Sequence, residues 1–95
     1  MMIKDIPGYE GLYRVTDDGQ IFSVKRGIYM KQQSDKDGYC TVNLRKDGKY
    51  RKFFVHRLMA LTYIPNPEGK ETVNHINEIK TDNRLENLEW ATRKE

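Results

Sequence analysis

Three Asp-Gly dipeptides, at 18–19, 37–38 and 47–48, punctuate the first half of this chain, and each interrupts a run of β-forming residues. Asp and Gly tolerate the left-handed backbone that tight hairpins need, so each dipeptide turns one strand back toward another. GLYRVTDDGQIFSV reads as such a hairpin around Asp17-Asp18-Gly19, and IYMKQQ as a further strand, broken by Asp35-Lys36-Asp37-Gly38. YCTVNLR alternates Cys40, Val42 and Leu44 with Tyr39, Thr41, Asn43 and Arg45, which gives one face to pack and one to meet solvent or a partner. After Lys46-Asp47-Gly48-Lys49 the return strand YRKFFV is expected to bring Arg51 and Lys52 beside Arg45 and Lys46.

The pattern then changes period. In VHRLMALTYI, Val55, Leu58, Met59 and Thr62 recur at helical spacing, and Pro65-Asn66-Pro67 stops the helix, so one helix is expected near residues 55–64, packed under the sheet. His56, next to its apolar stripe, reads as a hydrogen-bonded structural histidine. ETVNHI suggests a brief strand with Val73 inward and His75 near its end, and LEWAT a second one. Between them NEIKTDNRLENL is a polar loop with one helical turn at Arg84-Leu85-Glu86. Within it, Asn87 has a side chain that donates and accepts at once, which suits it to holding an irregular loop in shape. Thr92-Arg93-Lys94-Glu95 has the form of a capping box and reads as the first turn of a further helix. The fold class is α+β: an N-terminal antiparallel sheet over residues 1–54, then over 55–95 a helix and a ββ hairpin, the two forming one compact unit.

At 95 residues the chain supports one modest core, and 37% hydrophobic against 33% charged residues is the balance of a globular protein, not a disordered one. A lone cysteine, Cys40, excludes an internal disulfide framework and a thiolate zinc site. No apolar run is long enough to span a membrane, and the first residues lack the apolar core of a secretory signal, so a cytoplasmic monomer is expected. The net charge of +3 is unevenly spread: from Lys25 to Arg57 there are ten Lys and Arg against three Asp, a balance of +7, while each flank carries −2. A concentrated positive band suits a phosphate backbone, whose condensed counterions each docked cation releases. Lys25, Arg26, Lys31, Arg45, Lys46, Lys49, Arg51 and Lys52 are the candidate DNA contacts, with Tyr39 or Asn43 near bases.

VNHINEIKTDNRLENLEWATRKE resembles the HNH endonucleases of phage and intron origin, whose ββα-metal motif has a strand ending in Asp-His or Asn-His, an Asn-stabilised loop, a second strand and a helix. DIPGYEGLYRVTDDGQIFSV resembles the module that often precedes HNH domains, and VHRLMALTYIPNP the segment that joins the two. The resemblance implies that His75 is the general base on a water that attacks phosphorus, that Asn74 takes a metal-ligand position more often held by Asp, and that Asn87 is structural. It implies Mg²⁺ or Mn²⁺ as cofactor, double-stranded DNA as partner, and a phage gene expressed in a bacterial host. The third motif position belongs to the final helix and has no counterpart before Glu95. Asp82 and Glu86 are the loop carboxylates able to substitute, their plainer role being that of solvated charges.

An imidazole titrates near neutrality and can accept the proton of an attacking water, and a hard cation with oxygen ligands can neutralise charge at the phosphate. Three readings stay open at this stage: a nicking or cleaving HNH enzyme, a relative that binds DNA without cutting, and a phage protein that docks on a host protein through its aromatics and basic band. The enzyme reading further expects the His75 imidazole to project from its strand end toward a divalent ion beside the sugar-phosphate linkage.

Overall fold

The computed structural model describes residues 2–94. Its first half is built from two small antiparallel sheets. Strands β1 (Ile3–Asp5), β2 (Tyr13–Thr16), β3 (Ile21–Ser23) and β4 (Ile28–Tyr29) pair in chain order, and β5 (Gln33–Ser34), β6 (Cys40–Lys46) and β7 (Lys49–Phe54) form the second sheet. The expected strand through IYMKQQ is a correction: Ile28–Tyr29 closes the first sheet and Gln33–Ser34 opens the second. Met30, Lys31 and Gln32 carry the chain between the sheets, and a run shared by two sheets has no single period to read.

The β6–β7 hairpin turns on two residues. Asp47 and Gly48 have φ of 54° and 76°, the left-handed pair of a tight hairpin turn, with Lys46 and Lys49 paired across its base. In this register Arg51 stands opposite Leu44 and Lys52 opposite Asn43, while Arg45 faces Tyr50, so Lys52 is the diagonal neighbour of Arg45 and Arg51 that of Lys46. Since side chains alternate across a strand, Arg45 and Lys52 lie on one face with Asn43 and Tyr50, and Lys46, Lys49 and Arg51 on the other with Val42 and Leu44. The basic hairpin is thus positive on both faces.

Helix α1 (Val55–Tyr63) follows β7 without a linking loop. Val55, Leu58 and Met59 are fully buried, and each contributes about 1.5–3 kcal/mol by leaving water. At Ile64 the chain becomes extended ahead of Pro65, and the Trp90 indole N–H donates to the Ile64 carbonyl at 2.9 Å, satisfying a group the helix end leaves open. One core joins α1 to both sheets and to the last hairpin: Val15 and Ile21, Val42 and Leu44, and Leu88 all pack with it. No helix among the described residues is long and apolar enough to cross a membrane.

Strands β8 (Thr72–His75) and β9 (Leu88–Ala91) form the expected ββ hairpin, with Asn74 opposite Glu89 and His75 opposite Leu88. One 3₁₀ turn at Leu85–Asn87 precedes β9, one residue later than the predicted helical turn. Thr92, Arg93 and Lys94 are not helical, and the Glu95 half of the predicted capping box lies outside the described residues.

Candidate active site

His75 ends β8, as predicted, and its ring, expected to project from the strand end toward a divalent ion, is buried. Only 5% of the residue is exposed, and Nε2 lies 2.7 Å from Asn83 Oδ1. An amide oxygen can only accept, so in this pairing Nε2 is the donor and Nδ1 is the ring nitrogen left for another role. Asn83 is itself buried at 5%. Sequence reasoning missed Asn83, for nothing in a polar loop distinguishes one Asn from its neighbours until the fold brings it eight residues back onto the histidine.

Asn87 holds the loop that carries Asn83. Its Nδ2 donates to Asn77 Oδ1 at 2.9 Å and to the Asp82 carbonyl at 2.8 Å, and its Oδ1 accepts from the Asn77 backbone N–H at 3.0 Å. The loop carboxylate Asp82 is occupied as well: Arg84 grips it through two bonds of 2.8 Å and Asn77 Nδ2 adds a third. The Arg84 guanidinium accordingly holds the Asp82 carboxyl well below the usual carboxylate range. Glu86 pairs with the same Arg84 at 2.9 Å. Asp82 and Glu86 thus serve the loop.

On the exposed edge of the hairpin, Asn74 Nδ2 donates to Glu89 Oε2 at 3.0 Å, directly across the β8–β9 ladder. That bond leaves Asn74 Oδ1 and the second Glu89 oxygen as two hard donors, one of them anionic, on the exposed residue pair next to His75 in the ladder. Oxygen donors of this kind fit a hard divalent cation that keeps waters in its remaining positions. Among the described residues there is no group of three or more His, Cys, Asp and Glu that could hold a metal ion. Glu89 was absent from the sequence expectations because its place opposite Asn74 depends on register.

His56 departs from its expected role. The first turn of α1 buries it to 7% exposure, yet no hydrogen bond holds it, and among the described residues Nδ1 is the one buried side-chain polar atom without a partner. Rings surround it instead: Tyr39 stacks at 5.1 Å with 29° between planes, and His75 is 4.9 Å away. Burial, with the His75 and Arg57 charges adding to it, lowers the His56 pKa to about 4, so the ring is neutral at physiological pH. Tyr39, a candidate neighbour of DNA bases on the sequence reading, here belongs to the histidine cluster, its ring 6.0 Å from that of His75.

The basic residues fall into separate groups. Lys25 and Arg26, from the turn after β3, face Arg45, Lys46 and Tyr50 across a groove of about 500 Å³ whose walls include Leu12 and Met30. The Arg45 guanidinium lies 5.5 Å over the Tyr50 ring, and Lys46 Nζ donates to the Gly8 carbonyl at 2.7 Å. Lys31, Lys49, Arg51 and Lys52 are exposed outside this groove, and so is Asn43.

A ββ hairpin that ends its first strand in Asn-His and ties the histidine to a loop asparagine has the outline of the ββα-metal class. Comparison with known proteins agrees: residues 4–45 match the NUMOD4 motif and residues 53–95 match the HNH endonuclease model. The chain is 43% identical over 91 residues to DNA endonuclease I-HmuI of Bacillus phage SP01, covering 96% of this chain and 52% of that protein. With H-N-H endonuclease F-TflII of Escherichia phage T5 it shares 28% identity over 94 residues, 97% of this chain and 48% of the relative. The structure described as "DNA binding and cleavage by the HNH homing endonuclease I-HmuI" superposes with a TM-score of 0.92 at 43% identity, over 99% of this chain and 54% of that one. The chain carries an HNH endonuclease family domain over residues 53–95 behind a NUMOD4 motif over residues 4–45. It spans about half the length of these relatives. HNH endonucleases generally depend on a divalent metal.

Proposed function

We propose that this chain carries the catalytic part of a phage DNA endonuclease that nicks or cleaves phosphodiester bonds. The His75–Asn83 pair carries the reading: an imidazole whose Nε2–H is committed to an amide oxygen keeps Nδ1 free to take a proton. In the proposed step a water oxygen bonds to phosphorus, its proton passes to His75 Nδ1, and the bond from phosphorus to one bridging oxygen breaks. The low exposure of His75 keeps bulk water from competing for that proton. Mg²⁺ or Mn²⁺, held at Asn74 Oδ1 and Glu89, would neutralise charge developing at the phosphate.

Double-stranded DNA is the proposed substrate. Lys25, Arg26, Arg45 and Lys46 line one groove, and cations grouped in this way position a phosphate backbone without reading its sequence. A phage-encoded protein acting on DNA inside a bacterial host fits this reading. The test is incubation with supercoiled plasmid and Mg²⁺ or Mn²⁺. Nicked or linear DNA that disappears with His75→Ala is the expected result. Intact plasmid, bound in gel shifts but uncut in either metal, would leave a DNA-binding scaffold without catalysis.

A further inference from the structure

We propose that Tyr39 and His56 are positioning residues for the His75 general base, so that the segment matching the NUMOD4 motif is a working part of the active centre. This rests on the proposed role of His75 and adds the device that orients its ring. One hydrogen bond, from Nε2 to Asn83, fixes a point on the imidazole but leaves its plane free to swing about that point. The rings supply the missing restraint. His56 lies 4.9 Å from His75 at 49°, and Tyr39 lies 6.0 Å from it at 32°. Phe54 lies 5.4 Å from His56 at 46°. Aromatic contacts of this kind favour particular ring orientations beyond the area they bury.

The lack of a partner at His56 Nδ1 points the same way. A buried imidazole nitrogen usually finds a hydrogen bond, and a side chain kept for its hydrogen bonding would have one. His56 is used here as a flat, neutral plate. Neutrality matters because an imidazolium pressed against His75 would oppose proton uptake by the base.

Tyr39 is built into place from both halves. Asp35 Oδ1 accepts the backbone N–H of Asp37 and of Tyr39 at 2.9 Å each, a turn that sets the start of β6. From the HNH side, Lys80 reaches back, donating to the Asp37 carbonyl at 2.8 Å with its Nζ 4.9 Å over the Tyr39 ring. A second contact from the N-terminal half meets Asn83 itself. Gly19, at φ +90°, lies so close that a Cβ there would be 3.0 Å from the Asn83 Cβ, and the Asp17 carbonyl accepts the Leu85 N–H at 2.9 Å. Both parts of the His75–Asn83 pair therefore lean on residues before position 45.

The test compares Tyr39→Ala, Tyr39→Leu and His56→Ala with the ring-preserving Tyr39→Phe and His56→Phe, all in the whole chain and checked for cooperative unfolding. Proton–nitrogen correlations of the His75 imidazole report its tautomer whether or not the protein cuts. The wild type should show the Nε2–H form alone. Tyr39→Leu, which fills the core without a plate, should give mixed tautomers or exchange-broadened signals, as should both alanine variants. Their plasmid nicking should fall by about 100-fold in kcat at unchanged DNA affinity, the scale set by misplacing a reacting group by about 1 Å. The phenylalanine variants should recover both. A single unchanged His75 tautomer in folded Tyr39→Leu and His56→Ala would overturn the proposal. A wild type that does not nick would instead overturn the function above, and the imidazole spectra would still decide the role of the rings.

Discussion

The imidazole of His75 and the amide of Asn83 meet at 2.7 Å in the interior, eight residues apart in sequence. Asn83→Ala should remove the tautomer lock and leave a buried donor unpaired. Stability should fall by about 1–3 kcal/mol and nicking by about 100-fold. Denaturant unfolding and plasmid assays on the same preparation measure both. Full activity in the variant would separate the hydrogen bond from the chemistry.

Asn74 and Glu89 allow a metal prediction. Asn74→Asp would set two carboxylates opposite each other on the β8–β9 edge, where like charges repel until a cation bridges them. Mn²⁺ should bind this variant more tightly than the wild type and raise its unfolding temperature further, and Glu89→Gln should bind more weakly. Calorimetric titration with Mn²⁺ checks the order. Equal affinities across the three proteins would remove Glu89 from the site.

His56 gives the protein a pH signature. Its folded pKa of about 4 lies below the 6.5 of the unfolded chain, so between these values the unfolded state binds a proton that the native state refuses. The stabilisation is complete above about pH 6.5 and is lost as pH falls through about 4, with a limiting slope of about 1.4 kcal/mol per pH unit. His56→Phe should flatten that part of the stability profile measured by urea unfolding. A wild-type curve already flat from pH 6.5 to 4.5 would contradict the burial of a neutral ring.

The two faces of the β6–β7 hairpin can be told apart by salt. Removing Lys25, Arg26 or Arg45 from the groove should lower the slope of log K against log salt by about 0.9 for each phosphate that is no longer neutralised. Lys49→Ala and Arg51→Ala, on the opposite face from Arg45, should change it less. The reverse ranking would move the duplex to the other face.

Asn87→Ala should unravel the loop and not merely weaken it. Three hydrogen bonds vanish, at roughly 1 kcal/mol each, and Asn77 and Asp82 are left without their common partner. Proteolysis between Asn77 and Arg84, mapped by mass spectrometry, should accelerate in the variant while β6 stays protected.

Much of this was legible where the signal is local. Asp47-Gly48 tolerates the left-handed backbone of a tight turn, Leu58 and Met59 repeat at the helical period, and Asn87 follows a polar loop just before a strand. The NHI sequence also placed His75 at a strand end. What escaped depends on the third dimension. Asn83, Glu89, His56 and Tyr39 acquire meaning from who stands opposite them, and no sequence period encodes that a tyrosine at 39 will reach a histidine at 75. The inward turn of His75 escaped for the same reason: a strand ending predicts where a side chain starts, while packing decides where it goes.

Gly19 also bears on how such proteins diversify. Because its bare backbone is pressed against Asn83, an HNH segment grafted behind a foreign N-terminal partner would need an equally slim bend at that spot. Chimaeras that exchange the first 45 residues should therefore work only when donor and recipient agree at this one meeting point, however well their DNA-facing surfaces are matched.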